Sequence, residues 1–173
     1  MGTRREFLRT TAGIGAAAMT PAMASAFARG KLSTVKVGLV GCGGRGTGAA
    51  VQALKADPGS MFWAMGYLSE SRVSSCLGHV EEAVGEPEKI DVPDERKFVG
   101  FDAYQRVIDS GVDVVLLCTP PAFRPEQVAA AIAANKHVFC EKPVAVDAPG
   151  VRSVLESARR AQDAGLSLMS GFC

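Results

Sequence analysis

From residue 33 onward, short apolar runs take turns with stretches of helical length and composition, and this alternation limits the fold more than any other feature. The runs are TVKVGLV (34–40), MFWAMG (61–66), VDVVLLC (112–118), HVFC (137–140) and LSLMSG (166–171), with a short strand inside KFVG (97–100). They are apolar without polar alternation, as in strands covered on both faces. Helices are predicted over 48–59, 71–85, 101–111, 125–135 and 147–165. The first stops at Asp57-Pro58-Gly59, and the second ends at Gly85. Pro125 opens the fourth. Asp147 caps the fifth and Gly165 stops it. Residues 86–100 are polar, interrupted by Pro87 and Pro93, and read mostly as loop. Strands alternating with helices of this length build βαβ units and a parallel sheet. The expectation is an α/β domain over residues 33–173, doubly wound.

A chain of 173 residues supports one such domain with a sizeable core. Its formal net charge is only +1, and no basic run is interleaved with aromatics, so a nucleic-acid partner is not expected. His79 and His137 are the sole histidines, too few for a His-rich metal site. Residues 1–28 form a separate segment. Arg4-Arg5 precede Phe7-Leu8, then comes a weakly apolar Ala/Gly run and small-x-small sites at Ala24-Ser25-Ala26 and Ala26-Phe27-Ala28. This order resembles a twin-arginine signal peptide, read by the export machinery, and implies a periplasmic or otherwise exported protein. The run is too short and too weakly apolar for a stable membrane span. Cys42, Cys76, Cys118, Cys140 and Cys173 show no Cys-x-x-Cys spacing. They read as small buried residues, not as a disulfide framework or zinc site.

The loop GLVGCGGRGTGAA supplies Gly41-x-Gly43-x-x-Gly46 between a predicted strand and a predicted helix. That context is what a dinucleotide fingerprint requires. Gly41 allows the tight turn, Gly43 lets backbone approach a pyrophosphate, and Gly46 lets helix pack on strand. The helix start offers unpaired N–H groups to phosphates. Gly44 lies in the same loop, and Arg45 adds a charge. The fold expectation thereby sharpens to a Rossmann-type sheet that takes NAD or NADP. An acidic residue for the ribose hydroxyls belongs about 20 residues on, after the second strand. Tyr67 stands there instead, as a cofactor contact or a packed aromatic. Glu70 comes three residues late, and Ser69, Ser71 and Arg72 suit a 2′-phosphate, so NAD and NADP both remain open.

Three further motifs carry a resemblance: Thr119-Pro120-Pro121, His137-Val138 and Glu141-Lys142-Pro143. With the glycine loop, they resemble the Gfo/Idh/MocA oxidoreductases, the glucose–fructose oxidoreductase and inositol dehydrogenase family, over essentially all of residues 35–172. The resemblance implies that Thr119 and Pro120 line the cofactor site. It also implies that Glu141, Lys142 and Pro143 lie near the nicotinamide, with Lys142 reaching a sugar or polyol substrate as the catalytic residue. His137 reads as a structural strand-start residue.

The chemistry suits a lysine at a strand end. Hydride leaves a carbon only as its hydroxyl loses a proton, and a neighbouring cation stabilises the developing negative charge. A partly shielded lysine is also able to share that proton. Pro143 would aim the turn, whereas a surface lysine paired with Glu141 would contribute little. In the family a second domain follows, carrying most of the substrate pocket, an acid/base pair and the oligomer surface. The expectation is that this domain is missing here and that residues 33–173 alone bind nucleotide without turnover. An NAD-dependent glycoside hydrolase using transient oxidation, and a truncated non-catalytic nucleotide-binding domain, are the competing readings.

Overall fold

The computed structural model describes residues 34–171. Six strands form one sheet: β1 (Val35–Val40), β2 (Ser60–Tyr67), β3 (Lys97–Val99), β4 (Val114–Leu117), β5 (His137–Cys140) and β6 (Leu168–Ser170). Five α-helices connect them: α1 (Gly44–Ala56), α2 (Glu70–Val84), α3 (Ala103–Asp109), α4 (Arg124–Ala133) and α5 (Ala148–Asp163). The strand order is β3-β2-β1-β4-β5-β6 and every pairing is parallel. The order reverses between β1 and β4, the switch point where open α/β sheets bind ligands.

Two apolar layers explain why the strands lack polar alternation. Val37, Leu39, Phe62, Met65 and Leu116 pack beneath α1 and α2, against Ala50, Leu54, Val73 and Val80. Val40, Ala64, Val115, Leu117 and Val138 face the other way, against Val107, Ile108, Val128 and Ile132 of α3 and α4. Both faces are therefore dry, and a polar residue on either would lose its water.

The expected elements are present, with shifted ends. α1 begins at Gly44, four residues before the predicted start, because the helix grows directly out of the glycine loop. The predicted loop 86–100 contains two 3-10 turns, Pro87–Lys89 and Asp94–Arg96, the first ending in a buried lysine. Lys89 escapes the cost of burial by donating to the Leu54 carbonyl at 2.9 Å and pairing with Glu86. Asp147 caps α5 as expected, accepting from the Gly150 amide at 2.7 Å. His137 is structural: its Nδ1 accepts from the Ser167 amide at 3.0 Å, at the start of β5. Cys42, Cys76 and Cys140 are buried, and Cys118 is half-buried. Cys173 and the predicted signal segment 1–28 lie outside the described residues.

Candidate functional site

A parallel sheet brings the carboxyl ends of all its strands to one edge. β1 ends in the glycine loop, β4 in Cys118-Thr119-Pro120, and β5 in Glu141-Lys142-Pro143. Since β4 lies between β1 and β5, these three turns are neighbours.

The glycine loop is built for close approach. Gly41 has φ +110°, and a Cβ there would lie 2.6 Å from the Cys118 carbonyl carbon, so the β1 and β4 ends touch backbone to backbone. At Gly46 a Cβ would fall 1.7 Å from the Gly41 oxygen. The first turn of α1 is thereby pressed onto the end of β1. At Gly43 the Cβ position is open, with no atom within 4 Å. Gly43 also caps α1 without a side-chain hydrogen bond, and no acidic residue stands in the first turn. These helix-start amides and the open space above Gly43 and Gly44 fit a pyrophosphate group.

Arg45 and Glu141 join the loop to β5. The Arg45 guanidinium meets Glu141 Oε1 at 2.5 Å through Nη2 and 2.6 Å through Nε. The Glu141 side chain is only 3% exposed. Burial works to raise its carboxyl. The Arg45 hydrogen bonds and charge, the Lys142 amide and the Arg124 charge outweigh that and hold it below the ordinary carboxylate range. Arg45, expected to lend its charge to phosphates, is thus engaged with a carboxylate. Lys142 forms no ion pair with Glu141 among the described residues. It is exposed, so the partial shielding expected of it is not found among those residues. The Lys142–Pro143 peptide is cis.

Two residues that organise the site had no signal in the sequence. Arg124, the first residue of α4, is 6% exposed. It donates to the Thr119 carbonyl at 2.8 Å and the Glu141 carbonyl at 2.6 Å, and also to the Pro143 carbonyl. One guanidinium therefore clamps the β4 turn to the β5 turn. Gln127, one helical turn on, accepts from the Thr119 hydroxyl at 2.6 Å. Composition alone places an arginine beside a proline at a solvated helix start. Only its carbonyl partners, distant in sequence, make burial affordable.

Beside the loop lies an apolar cleft lined by Tyr67, Leu68, Phe101, Tyr104, Thr119, Pro120 and Phe123. Tyr67 packs partly on the core beneath α1 and α2 and presents its remaining surface to this cleft. The structure thus brings Gly41, Gly43, Gly44, Arg45, Gly46, Thr119, Pro120, Glu141, Lys142 and Pro143 to one edge, with Tyr67 at its flank. Among the described residues, no three His, Cys, Asp or Glu side chains are grouped to hold a metal. No helix among those residues is long and apolar enough to cross a membrane.

The model of the Gfo/Idh/MocA oxidoreductase family, NAD-binding Rossmann fold, matches residues 35–170. Inositol 2-dehydrogenase of Paracoccus denitrificans is 29% identical over 128 residues, which are 74% of this chain and 34% of that protein. The KijD10 3-ketoreductase of Actinomadura kijaniata, solved with NADP and TDP-benzene, is 25% identical with a TM-score of 0.58; the match covers 79% of this chain and 37% of that one. Scyllo-inositol dehydrogenase of Lactobacillus casei, solved with NAD(H) and scyllo-inositol, shares the fold at 21% identity and a TM-score of 0.60; it covers 80% of this chain and 36% of that one. The chain spans about a third of the length of the curated relatives it matches.

Proposed function

The chain belongs to the Gfo/Idh/MocA oxidoreductase family with its NAD-binding Rossmann fold, and from that membership we propose that it is the nucleotide-binding part of an NAD(P)-dependent dehydrogenase of sugars or polyols. The observation that carries the reading is the meeting of the glycine loop, Thr119-Pro120 and Glu141-Lys142-Pro143 at adjacent strand ends of the switch point. The inositol dehydrogenase and 3-ketoreductase activities in the names of its relatives support the substrate class.

In this reading the amides at the start of α1 bind the pyrophosphate, and the apolar cleft by Tyr67 and Phe123 takes the adenine. Bound NAD(P) supplies the hydride acceptor or donor. Arg124 holds the β5 turn so that Lys142 leaves the sheet edge at a set position. The Lys142 ammonium, exposed on that edge, then stands beside the substrate hydroxyl and stabilises the charge that develops on its oxygen. Glu141 positions the turn through Arg45 and does not itself exchange protons.

Titration calorimetry with NAD+ and with NADP+ tests the binding half: micromolar affinity for one or both is expected, and no binding of either refutes it. The catalytic half is tested by Lys142→Met in a dehydrogenase that carries this domain together with a substrate-binding part, assayed for reduced nicotinamide with a panel of inositols and sugars. A loss of about 10²–10⁴-fold in kcat with little change in nucleotide affinity is expected. Wild-type turnover in the variant refutes the role of Lys142. We also propose export by the twin-arginine route, on the strength of Arg4-Arg5 and Phe7-Leu8. Replacing both arginines by lysine should retain the protein in the cytoplasm; undiminished export would overturn that assignment.

A further inference from the structure

We propose that Arg72, with the hydroxyls of Ser69 and Ser71, forms a 2′-phosphate subsite that makes this chain select NADP over NAD. The preference rests on the nucleotide reading given above and narrows it to one cofactor.

The two cofactors differ only at the 2′-position of the adenosine ribose, a hydroxyl in NAD and a phosphate in NADP. With the pyrophosphate over Gly43 and Gly44, that ribose lies toward the end of β2, the strand paired with β1. A site for NAD places a carboxylate there to accept from the ribose hydroxyls. Among the described residues none is in position. Tyr67 ends β2, partly packed on the core and otherwise facing the apolar cleft. Glu70 opens α2 but lines neither that cleft nor the second pocket, which lies beside the glycine loop.

Arg72 does line this second pocket, with Gly43 and Gly44 of the loop, Thr47 of α1 and Ser75 of α2. The loop side is unobstructed, since no atom lies within 4 Å of the Cβ positions at Gly43 and Gly44. The Arg72 side chain is exposed and uncommitted. Among the described residues, Arg45, Arg96, Arg106, Arg159 and Arg160 pair with carboxylates, and Arg124 holds backbone carbonyls. Arg72 and Arg152 hold neither, and Arg152 stands on α5, outside the pocket. A guanidinium with all its donors available matches the oxygens of a phosphate.

Ser69 precedes α2, yet its hydroxyl does not cap the helix. It shares a 2.9 Å hydrogen bond with the Ser71 hydroxyl instead. That bond uses one of the two hydroxyl hydrogens, and the other is left to donate to a phosphate oxygen. NADP therefore gains charge-assisted hydrogen bonds here. With NAD the same groups stay in water and lose nothing. The difference corresponds to about 10–100-fold in affinity. Because the contact is exposed, added salt should erode it.

The test is titration calorimetry of the full chain with NADP+, NAD+, 2′,5′-ADP and 5′-ADP, in the wild type and in Arg72→Gln. The last ligand carries the pyrophosphate without the 2′-group. NADP+ is expected to bind about 10–100-fold more tightly than NAD+, and 2′,5′-ADP more tightly than 5′-ADP. Arg72→Gln should remove most of both differences and leave the NAD+ affinity unchanged. Arg72 has no partner within the described fold, so the variant should unfold at the wild-type denaturant midpoint. NAD+ bound as tightly as NADP+ or more tightly overturns the subsite. So does a preference that survives in Arg72→Gln, or a variant that weakens both dinucleotides by the same factor. A wild type that binds neither dinucleotide overturns the nucleotide reading instead. In that event 2′,5′-ADP judges the subsite by itself, upheld by binding that Arg72→Gln abolishes and overturned by no binding.

Discussion

Arg124 is the residue on which the site's geometry leans hardest. In Arg124→Met, a straight apolar chain fills much of the same volume, but three carbonyl oxygens lose their donor: those of Thr119, Glu141 and Pro143. A hydrogen bond from a charged donor contributes about 1.5–3 kcal/mol, and a buried acceptor left unsatisfied costs about 1–3 kcal/mol. The three are not additive, because they share one guanidinium. Pro143 is exposed and water can reach its carbonyl, whereas Glu141 is buried. The removed positive charge also lies near the Glu141 carboxylate, which then leans on Arg45 and the Lys142 amide. A net destabilisation of about 3–5 kcal/mol follows. Denaturant unfolding reads it as a lower midpoint with an unchanged slope. Arg124→Lys keeps the charge but replaces a planar fork with a single ammonium, so it should recover less than half of the loss. A loss under about 1 kcal/mol in Arg124→Met would refute the clamp, since surface substitutions alone fall in that range. Full rescue by lysine would show that the charge matters and the fork does not.

Other expectations concern the glycines and the buried carboxylate. Gly46→Ala puts a Cβ 1.7 Å from the Gly41 oxygen, so α1 must lift off β1; a loss of about 3 kcal/mol or more and abolished nucleotide binding are expected by unfolding and calorimetry. Gly48→Ala is the control two residues on, with no atom within 4 Å of the new carbon; it should stabilise α1 by about 0.5–1 kcal/mol, and a destabilisation would contradict the open space. Glu141 has a folded pKa held below its unfolded value. Its contribution to stability is therefore complete above about pH 4.3 and fades as pH falls through the lowered folded value. Unfolding measured from pH 7 down to pH 3 should show this loss in the wild type and a shallower one in Glu141→Gln.

The comparison of expectation with structure is most instructive at particular residues. Gly46 was legible because its constraint is local, a Cβ there meeting the Gly41 oxygen five positions back, whereas Gly41 combines a φ of +110° with a close approach to the distant Cys118 backbone. Asp147 was legible for the same reason, as a cap acts within three residues. Arg124 was invisible, because its partners lie 5, 17 and 19 positions away. Arg45 was assigned to phosphate because its partner Glu141 is 96 positions distant. The expected shielding of Lys142 has no counterpart among the described residues.

What the sequence by itself determined is the alternation of apolar strand and amphipathic helix, and with it a doubly wound parallel sheet. The period of burial is written into each segment, and a run dry on both faces has few other places to go. It also determined the glycine turn between β1 and α1, where the limit on Gly46 comes from the Gly41 oxygen five positions back. The tertiary structure decided who stands beside whom once β1, β4 and β5 became neighbours. It paired Arg45 with Glu141 and set Arg124 across two turns. Those contacts join residues far apart in the chain, and their energies exist only after folding has removed the water that would otherwise satisfy each group.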